Sequence, residues 1–388
     1  MPLTIRSPSL LPAALLAAGV LASACRVAAP PRAPTAPATA AVPDTLLHDA
    51  DGRYRLGRPF QDFYDTAFVL TETGKITPRV VSVDELADLL QGYDVVFYGE
   101  SHGHAGVQLQ ETRLLRALYD RSPKWVLSLE QFERDVQGVL DDYLAGRIGE
   151  RTLIEKGRAW TGYAASYRPL VQFAQMHHLP VIAAEAPTWA VECVGQWGTG
   201  ILDEFTPAER GELAADLHVT PGAYRDKFLA FMRGSPTHEG GAAAAPAPAP
   251  APDAEARAGR SFAAQVVRDD TMAESIARAL RKYPRYQVLQ VLGSFHAEGF
   301  LGTVERLRLR DPQLRIAVID ALEVSDPRAP GFTADQARDG TALQLVYPTP
   351  DDFVEGEDPS AWMAKMMRKR ASDKCKYSLP VTPTPVSR

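Results

Sequence analysis

Cysteine is scarce in this chain. The sequence has three cysteines in 388 residues, too few for the fold to depend on a disulfide scaffold. Cys25 lies at the end of an N-terminal apolar run, which leaves Cys193 and Cys375 for any disulfide. Because Cys375 lies in a polar segment far along the chain from Cys193, we expect these two thiols to be unpaired.

An excess of basic residues and a second long apolar run are also absent from the sequence. The formal net charge is −6, so we predict no nucleic-acid partner, since such a partner needs a surface that neutralises phosphates. After residue 25 no apolar stretch approaches the roughly 20 residues that a membrane-spanning helix needs. The 45% content of hydrophobic residues favours a globular protein with a full-sized core.

The first residues have the pattern of an export signal. Arg6 is followed by an apolar run from Leu10 to Leu21 and then by small residues up to Ala24. Small residues directly before Cys25 are typical of a bacterial lipobox, in which the signal is removed and the cysteine thiol takes a diacylglycerol. We expect residues 1–24 to be a signal peptide and Cys25 to be lipidated, with simple secretion as the alternative. Because Arg26 is not the aspartate that retains some lipoproteins at the inner membrane, we expect an anchor in the cell envelope at the outer membrane or its periplasmic face.

Two low-complexity stretches separate the predicted parts of the chain. Residues 25–50 are rich in Ala and Pro, which predicts a tether between the lipid and the folded body. Residues 234–258 contain alternating Ala and Pro, which cannot sustain a helix, so we predict a surface insertion within one loop. The body is then one α/β domain over residues 51–347, followed by a polar tail over 348–388.

Short apolar runs alternate with longer helical periods along this domain, which is typical of βαβ units. The predicted strands are Asp94–Tyr98, Trp125–Leu129, Pro180–Ala184, Tyr286–Leu292, Leu314–Ile319 and Ala342–Tyr347. The predicted helices are Ala105–Tyr119, Asp135–Leu144, Ser166–His177, Pro207–Leu217 and Ser261–Tyr283. The expected fold class is α/β, with a mostly parallel sheet flanked by helices and a site formed by the loops at the strand ends.

Polar residues follow the predicted strands at the edge where parallel strands end together. Two strands lead into the pattern G-x-x-H, which ends at His102 in one case and at His296 in the other. A glycine after a buried strand lets the backbone turn sharply, so both histidines should project over this edge. Glu100 lies within the first turn and Glu130 ends a third strand. We expect the two imidazoles to lie within about 10 Å of each other, with Glu130 beside them. Two further predicted strands lead into Glu185 and Asp320.

This cluster of His and Glu side chains suits more than one kind of chemistry. Neutral imidazoles combined with carboxylates are ligands for a divalent metal such as Zn, Mn or Fe, so His102, His296, Glu100 and Glu130 form a candidate metal site. The same groups can perform acid/base chemistry without a metal, with Glu100 and Glu130 as the catalytic residues of a hydrolase. A purely structural set of polar caps is the third alternative.

Two carboxylates lie on otherwise apolar helix faces. They are candidates for contacting and orienting the side chains of the site. Glu111 shares its helical face with Val107 and Leu114, and a carboxylate in that position needs a partner. Asp269 likewise lies on an apolar face. It either orients a side chain of the site or pairs with an arginine, for which Arg268 and Arg168 are the candidates.

Two other features have alternative interpretations. His104 follows His102 by two residues, but no glycine turn defines its position, so we expect a solvated loop histidine rather than a second ligand. An aromatic stretch is ordinary core or, alternatively, the wall of a pocket for a flat ligand. Its members are Trp160, Tyr163, Tyr167 and Phe173.

In their order along the chain, these motifs resemble the ChaN-like haem-binding lipoprotein family, which is related to the Tiki superfamily of metal-dependent hydrolases. The resemblance covers about residues 93–307 and includes VVFYGESHGHAG, VLSLEQFERDVQGVLDDYLAG and VLGSFHAEGFLGTVERL. The insertion at 234–258 departs from the compact family pattern.

The resemblance implies binding of haem or iron at the cell envelope, with haem or another small molecule as ligand. The superfamily pattern implies instead a metal-dependent hydrolase similar to erythromycin esterases, and it falls on Glu100, His102, Glu130 and His296. No motif identifies the haem ligand, and a homodimer is left open.

Overall fold

The strands of the computed structural model form two sheets. The structure describes residues 45–71, 78–233, 253–351, 353–354, 357–358 and 375–378. The strands in these ranges are β1 (Leu46–His48), β2 (Arg53–Leu56), β3 (Thr66–Leu70), β4 (Arg79–Val81), β5 (Val95–Glu100), β6 (Trp125–Glu133), β7 (Val181–Glu185), β8 (Gln287–Gly293), β9 (Ile316–Glu323), β10 (Gly331–Thr333) and β11 (Ala342–Val346). In this part of the chain, β1, β2 and β10 form a small antiparallel sheet, and the other eight strands form a larger one.

The larger sheet has the strand order β4-β3-β11-β9-β5-β8-β6-β7. Every neighbouring pair from β11 to β7 is parallel, whereas β3 and β4 add an antiparallel edge. Strand β5 is buried along its whole length, as expected of a parallel strand that is covered on both faces. The predicted fold class is therefore confirmed.

Helices cover both faces of the larger sheet. They are α1 (Val83–Leu90), α2 (Ala105–Arg121), α3 (Gln137–Leu144), α4 (Glu150–Lys156), α5 (Arg168–Met176), α6 (Thr188–Trp197), α7 (Pro207–Gly211), α8 (Ala223–Met232), α9 (Ala254–Lys282) and α10 (Thr303–Arg310). Side chains alternate along β5, so that Val96 and Tyr98 pack with helices α1 to α5 while Val95 and Phe97 pack with α9 and α10. The sheet thus has a hydrophobic core on each side.

Several element boundaries differ from the sequence-based prediction. The helix predicted over Pro207–Leu217 ends at Gly211, because the following backbone amides donate hydrogen bonds to α9 instead of continuing the helix. Ala214 N donates to Thr271 Oγ1 at 3.1 Å, and Ala215 N donates to Glu274 Oε2 at 2.9 Å. The strand predicted to end at Ile319 continues to Glu323, which places Asp320 inside β9 rather than in a loop.

The predicted domain limits also need two corrections. Helix α9 begins at Ala254 and not at Ser261, so residues 254–258 belong to a helix and not to the insertion. Strand β1 lies at Leu46–His48, within the segment predicted to be a tether. The predicted signal peptide (1–24), Cys25, residues 26–44 and residues 234–252 of the predicted insertion lie outside the described residues.

The prediction of two unpaired thiols is wrong, because Cys193 and Cys375 form a disulfide with their Cα atoms 4.7 Å apart. Tyr377 continues this attachment by donating its hydroxyl to Glu209 Oε2 at 2.6 Å, and Lys376 pairs with the same carboxylate. The polar composition of the tail gives no sign of these contacts, which depend on the tertiary fold. Among the described residues, no helix is both long enough and apolar enough to cross a bilayer.

Candidate functional site

The neighbouring parallel strands β5, β8 and β6 lead to the edge of the sheet where the candidate site lies. Strand β8 lies between β5 and β6, and Glu100 at the end of β5 is in register with Gly293 at the end of β8. The ring of His102 packs against Gly293, where a Cβ atom would lie only 2.7 Å from His102 Nε2. A side chain at position 293 would therefore force the His102 ring to move.

The carboxylate of Glu130 lies between the two imidazoles. Its Oε1 atom is 3.9 Å from His102 Nε2 and 3.6 Å from His296 Nε2, so the two rings lie within the expected distance of each other. Its Oε2 atom accepts a hydrogen bond from the backbone N of Gly293 at 2.6 Å. The structure thus brings together side chains that are almost 200 residues apart in sequence, because parallel strands end at one edge.

Glu100 holds the ring of His102 through its Nδ1 atom. The distance from Nδ1 to Glu100 Oε1 is 2.9 Å, and because a carboxylate can only accept, Nδ1 carries the proton. Glu100 also accepts hydrogen bonds from Tyr167 Oη at 2.6 Å and from Gln131 Nε2 at 2.9 Å. Burial opposes a charged imidazole, but the hydrogen bond that Nδ1 donates to Glu100 and the charge of Glu130 raise the pKa of His102. The His102 side chain remains 44% exposed.

Asp269 holds the ring of His296 in the same manner. Its Oδ1 atom lies 2.7 Å from His296 Nδ1 and accepts a hydrogen bond from Thr303 Oγ1 at 2.8 Å, while its Oδ2 atom accepts one from Tyr224 Oη at 2.6 Å. Although burial disfavours both charges, their attraction raises the pKa of His296 and lowers that of Asp269. Asp269 therefore orients a histidine, which is one of the two alternatives that the sequence left open. Arg168, one of the arginines considered as its partner, pairs instead with Glu150.

Arg268 is the residue of the site that sequence reasoning did not place correctly. Its Nη2 atom lies 2.7 Å from Glu130 Oε1 and 2.7 Å from Glu185 Oε2, so its guanidinium bridges two carboxylates. Burial raises the pKa of Glu130, but the charges of His296 and Arg268 outweigh it and lower that pKa. For Glu185, burial raises the pKa by more than the positive charge of Arg268 lowers it, so the pKa of Glu185 is raised. The sequence offered only the weak signal that Arg268 directly precedes Asp269 on one helix.

The predicted metal site is not supported. Within the described ranges, no group of three or more His, Cys, Asp or Glu side chains has the geometry to hold a metal ion. Glu100, His102, Glu130 and His296 do lie together, but they form a network of hydrogen bonds and ion pairs in which Arg268 supplies a positive charge.

Two buried residues lie close behind the site. Burial and the neighbouring Glu100 raise the pKa of Glu111 well above its usual range. His104 is fully buried, where its Nε2 donates to the carbonyl oxygen of Tyr347 at 2.7 Å and its Nδ1 accepts from Val107 N at 3.3 Å. The expectation of a solvated loop histidine is therefore wrong, because His104 caps helix α2.

An open groove lies over the network. A cavity of about 290 Å³ is lined by the site residues and by Phe228, Phe231 and Phe295, and an adjoining cavity of about 340 Å³ shares the last two. Trp160 contacts His102 edge to face with ring centroids 4.9 Å apart. Tyr167, like Tyr163, is buried in the core, so the aromatic stretch predicted from sequence divides between the core and the surroundings of His102.

Comparison with known proteins gives a family and a fold. A family model described as "Haem-binding uptake, Tiki superfamily, ChaN" matches residues 86–307. The structure titled "Cofacial heme binding to ChaN of Campylobacter jejuni" is similar over 75% of this chain and 100% of that chain, with a TM-score of 0.51 and 15% identity. A mutant of the erythromycin esterase EreC in its open conformation has a TM-score of 0.36 and 11% identity, with 78% of this chain and 87% of that chain covered. No curated protein sequence matches the chain.

Proposed function

The chain belongs to the family described as haem-binding uptake, Tiki superfamily, ChaN, and from this membership we propose that it binds haem and serves in the uptake of haem or iron. The observation in the molecule that supports the proposal best is the pairing of Glu100 with His102 beside an open, partly aromatic groove. It provides an oriented ligand for iron and an apolar surface in one place.

His102 is the proposed iron ligand. Histidines that bind metals usually donate the proton of one ring nitrogen to a carboxylate, which leaves the other nitrogen free to bind the metal. In this chain Nδ1 donates to Glu100, and Nε2 belongs to a side chain that is nearly half exposed. Imidazole is a common axial ligand of haem iron, so the donor at this position fits the group.

The phenylalanines of the groove, Phe228, Phe231 and Phe295, fit a flat, largely apolar ring system. Phe231 contacts Phe295 and is 55% exposed, so about half of its aromatic surface is open to a ligand. Tyr167 and Gln131 keep the Glu100 carboxylate in place, which in turn fixes the orientation of the His102 ring. When bound, haem would supply the iron, and the chain would supply the ligand nitrogen and the apolar wall.

Reconstitution with hemin tests this function. The full chain is expected to bind hemin with a shifted Soret absorption, and His102→Ala should lose that shift because it removes the ligand nitrogen. His48→Ala is a matched control, since His48 is exposed and lies in β1. If the native chain shows no spectral change with hemin, the function itself is refuted. If His102→Ala keeps the native spectrum, the iron ligand is a different residue.

A second candidate function is hydrolysis, which the sequence suggested in a metal-dependent form. The observation in its favour is that each imidazole is oriented by a carboxylate, His102 by Glu100 and His296 by Asp269, while both Nε2 atoms face Glu130. Such pairs suit general acid/base catalysis. Hydrolysis of p-nitrophenyl esters by the native chain, with and without added zinc, manganese or iron, tests it. Equal release of nitrophenol by the native chain and His296→Ala would contradict it.

We also infer that the chain is exported and anchored by a lipid on Cys25. The small residues before Cys25 and the Ala/Pro-rich segment after it support this inference. The Cys193–Cys375 disulfide is a second support, because disulfides persist mainly in oxidising compartments. Cys25→Ala should move the protein from the membrane fraction to the soluble fraction of cells that process lipoproteins. Retention of that variant in membranes would contradict the inference.

A further inference from the structure

The guanidinium of Arg268 lies where the cluster concentrates its negative charge. Its Nη2 atom is 2.7 Å from Glu130 Oε1 and from Glu185 Oε2, and its Nε atom donates to Glu185 Oε2 at 2.9 Å. Glu130 and Glu185 are almost completely buried, at 1% and 4% exposure. Two buried carboxylates at one strand edge need a counter-charge, and Arg268 provides it.

The donor atoms around this guanidinium have nearly the spacing of ligands to one ion. Two atoms bound at about 2.1 Å to a tetrahedral zinc ion lie about 3.4 Å apart. Glu130 Oε1 is 3.6 Å from His296 Nε2 and 3.9 Å from His102 Nε2, slightly more than this. Both rings are also held through Nδ1 by a carboxylate, which is the arrangement found behind metal-binding histidines.

Among the described residues no group has the geometry of a metal site, and the Glu130 oxygen that would be the central ligand already accepts a hydrogen bond from the Arg268 cation. A divalent ion entering the cluster would meet the fixed positive charge of Arg268 within a few ångströms. It would also have to displace a charge-assisted hydrogen bond from Glu130.

We propose that Arg268 is a specificity-determining residue, which occupies the cation position of a latent His/His/Glu metal site and thereby keeps free divalent ions out of it. The guanidinium of Arg268 then takes the position that a metal ion would have in the cluster. His102 then stays available to a ligand that enters from the groove. The proposal does not depend on haem binding, since it concerns the affinity of the cluster for free ions.

Zinc titration of the full chain and of Arg268→Met tests the proposal. Methionine has a length similar to that of arginine but no charge, so it vacates the cation position without a large loss of packing. The native chain is expected to bind no zinc in the cluster. Arg268→Met should bind one zinc per chain, with an affinity at least tenfold above that of any other zinc binding by the native chain. Arg268→Lys should resemble the native chain because it keeps a positive charge. Arg315→Met is the matched control, since Arg315 pairs with Asp94 on an exposed surface.

A second variant covers the case in which Arg268→Met does not fold, because that substitution leaves Glu130 and Glu185 without a counter-charge. Arg268→Met combined with Glu185→Gln removes one charge of each sign and keeps His102, His296 and Glu130. It should bind zinc and melt at a higher temperature with zinc than without.

Three outcomes would overturn the proposal: tight zinc binding by the native cluster, no zinc binding by either folded variant, or zinc binding that persists when His296→Ala is added. Hemin spectra of the native chain, recorded without zinc, decide the haem function separately.

Discussion

Asp269 is a single side chain on which much of the site depends. It is fully buried and takes part in hydrogen bonds with His296, Tyr224 and Thr303. Asp269→Ala should lower the free energy of unfolding by about 3–5 kcal/mol, because it leaves an uncompensated imidazole and two unpaired hydroxyl donors in the interior. Urea unfolding followed by circular dichroism measures this change.

Asp203→Ala is a matched control for this prediction, since Asp203 is an exposed aspartate in the Thr199–Glu204 turn. It should change the free energy of unfolding by less than about 0.5 kcal/mol. Equal effects of the two substitutions would mean that the Asp269 network contributes little to stability.

At the scale of residues, the sequence predicts side chains that follow strand ends but not those that reach the site from distant helices. Glu100, His102, Glu130 and His296 could be chosen because a parallel sheet collects strand ends at one edge. Arg268 could not, because its direction depends on how α9 packs over the sheet. Likewise, His104 is buried by its contact with Tyr347, a residue 243 positions away, which local spacing does not reveal.

At the scale of secondary structure, the long buried parallel strands could be predicted and the short or exposed elements could not. The six predicted strands correspond to β5, β6, β7, β8, β9 and β11, whose apolar runs are continuous. Strand β4 was missed because it has only three residues, whereas β3 was missed although it is buried and as long as β7. Five helices of ten residues or fewer were missed, because such short segments form only in their tertiary context: α1, α4, α6, α8 and α10.

The contact between the tail and helix α7 gives a prediction about pH. Hydrogen bonds from Lys376, Tyr377 and Thr206 lower the pKa of Glu209 to about 2. The stabilisation of this contact is therefore fully present above the ordinary carboxyl pKa of about 4.5 and is lost only as the pH falls through about 2. An NMR titration of the Glu209 carboxyl should show this low midpoint.

The double variant Lys376→Ala with Tyr377→Phe should move the Glu209 midpoint up toward its ordinary value, because it removes the two hydrogen bonds that lower this pKa most. Asp94 serves as an internal control in the same sample, since despite its partial burial its pKa is lowered by Arg315 and not by the tail. An unchanged Glu209 midpoint in the double variant would show that the tail does not make this contact in solution.

At the scale of the whole molecule, the site combines residues from two halves of the chain. Glu100, His102 and Glu130 precede the insertion at residues 234–252, whereas Arg268 and His296 follow it. Cys193 and Cys375 lie on opposite sides of the same insertion and are joined covalently. The two halves therefore share both the sheet, through the neighbours β5, β8 and β6, and a disulfide.

This covalent link makes the chain able to survive as a two-fragment protein. A specific protease site introduced within residues 234–252 and then cut would give an N-terminal piece with Cys193 and a C-terminal piece with Cys375. The cut protein should migrate as one species in denaturing gels without reductant and as two with reductant, while its circular dichroism stays close to that of the uncut chain. With Cys375→Ala, two bands should appear in either gel. If the cut native chain separates without reductant, the disulfide is not formed in solution. If the two pieces stay joined, they could be labelled separately and rejoined through the disulfide.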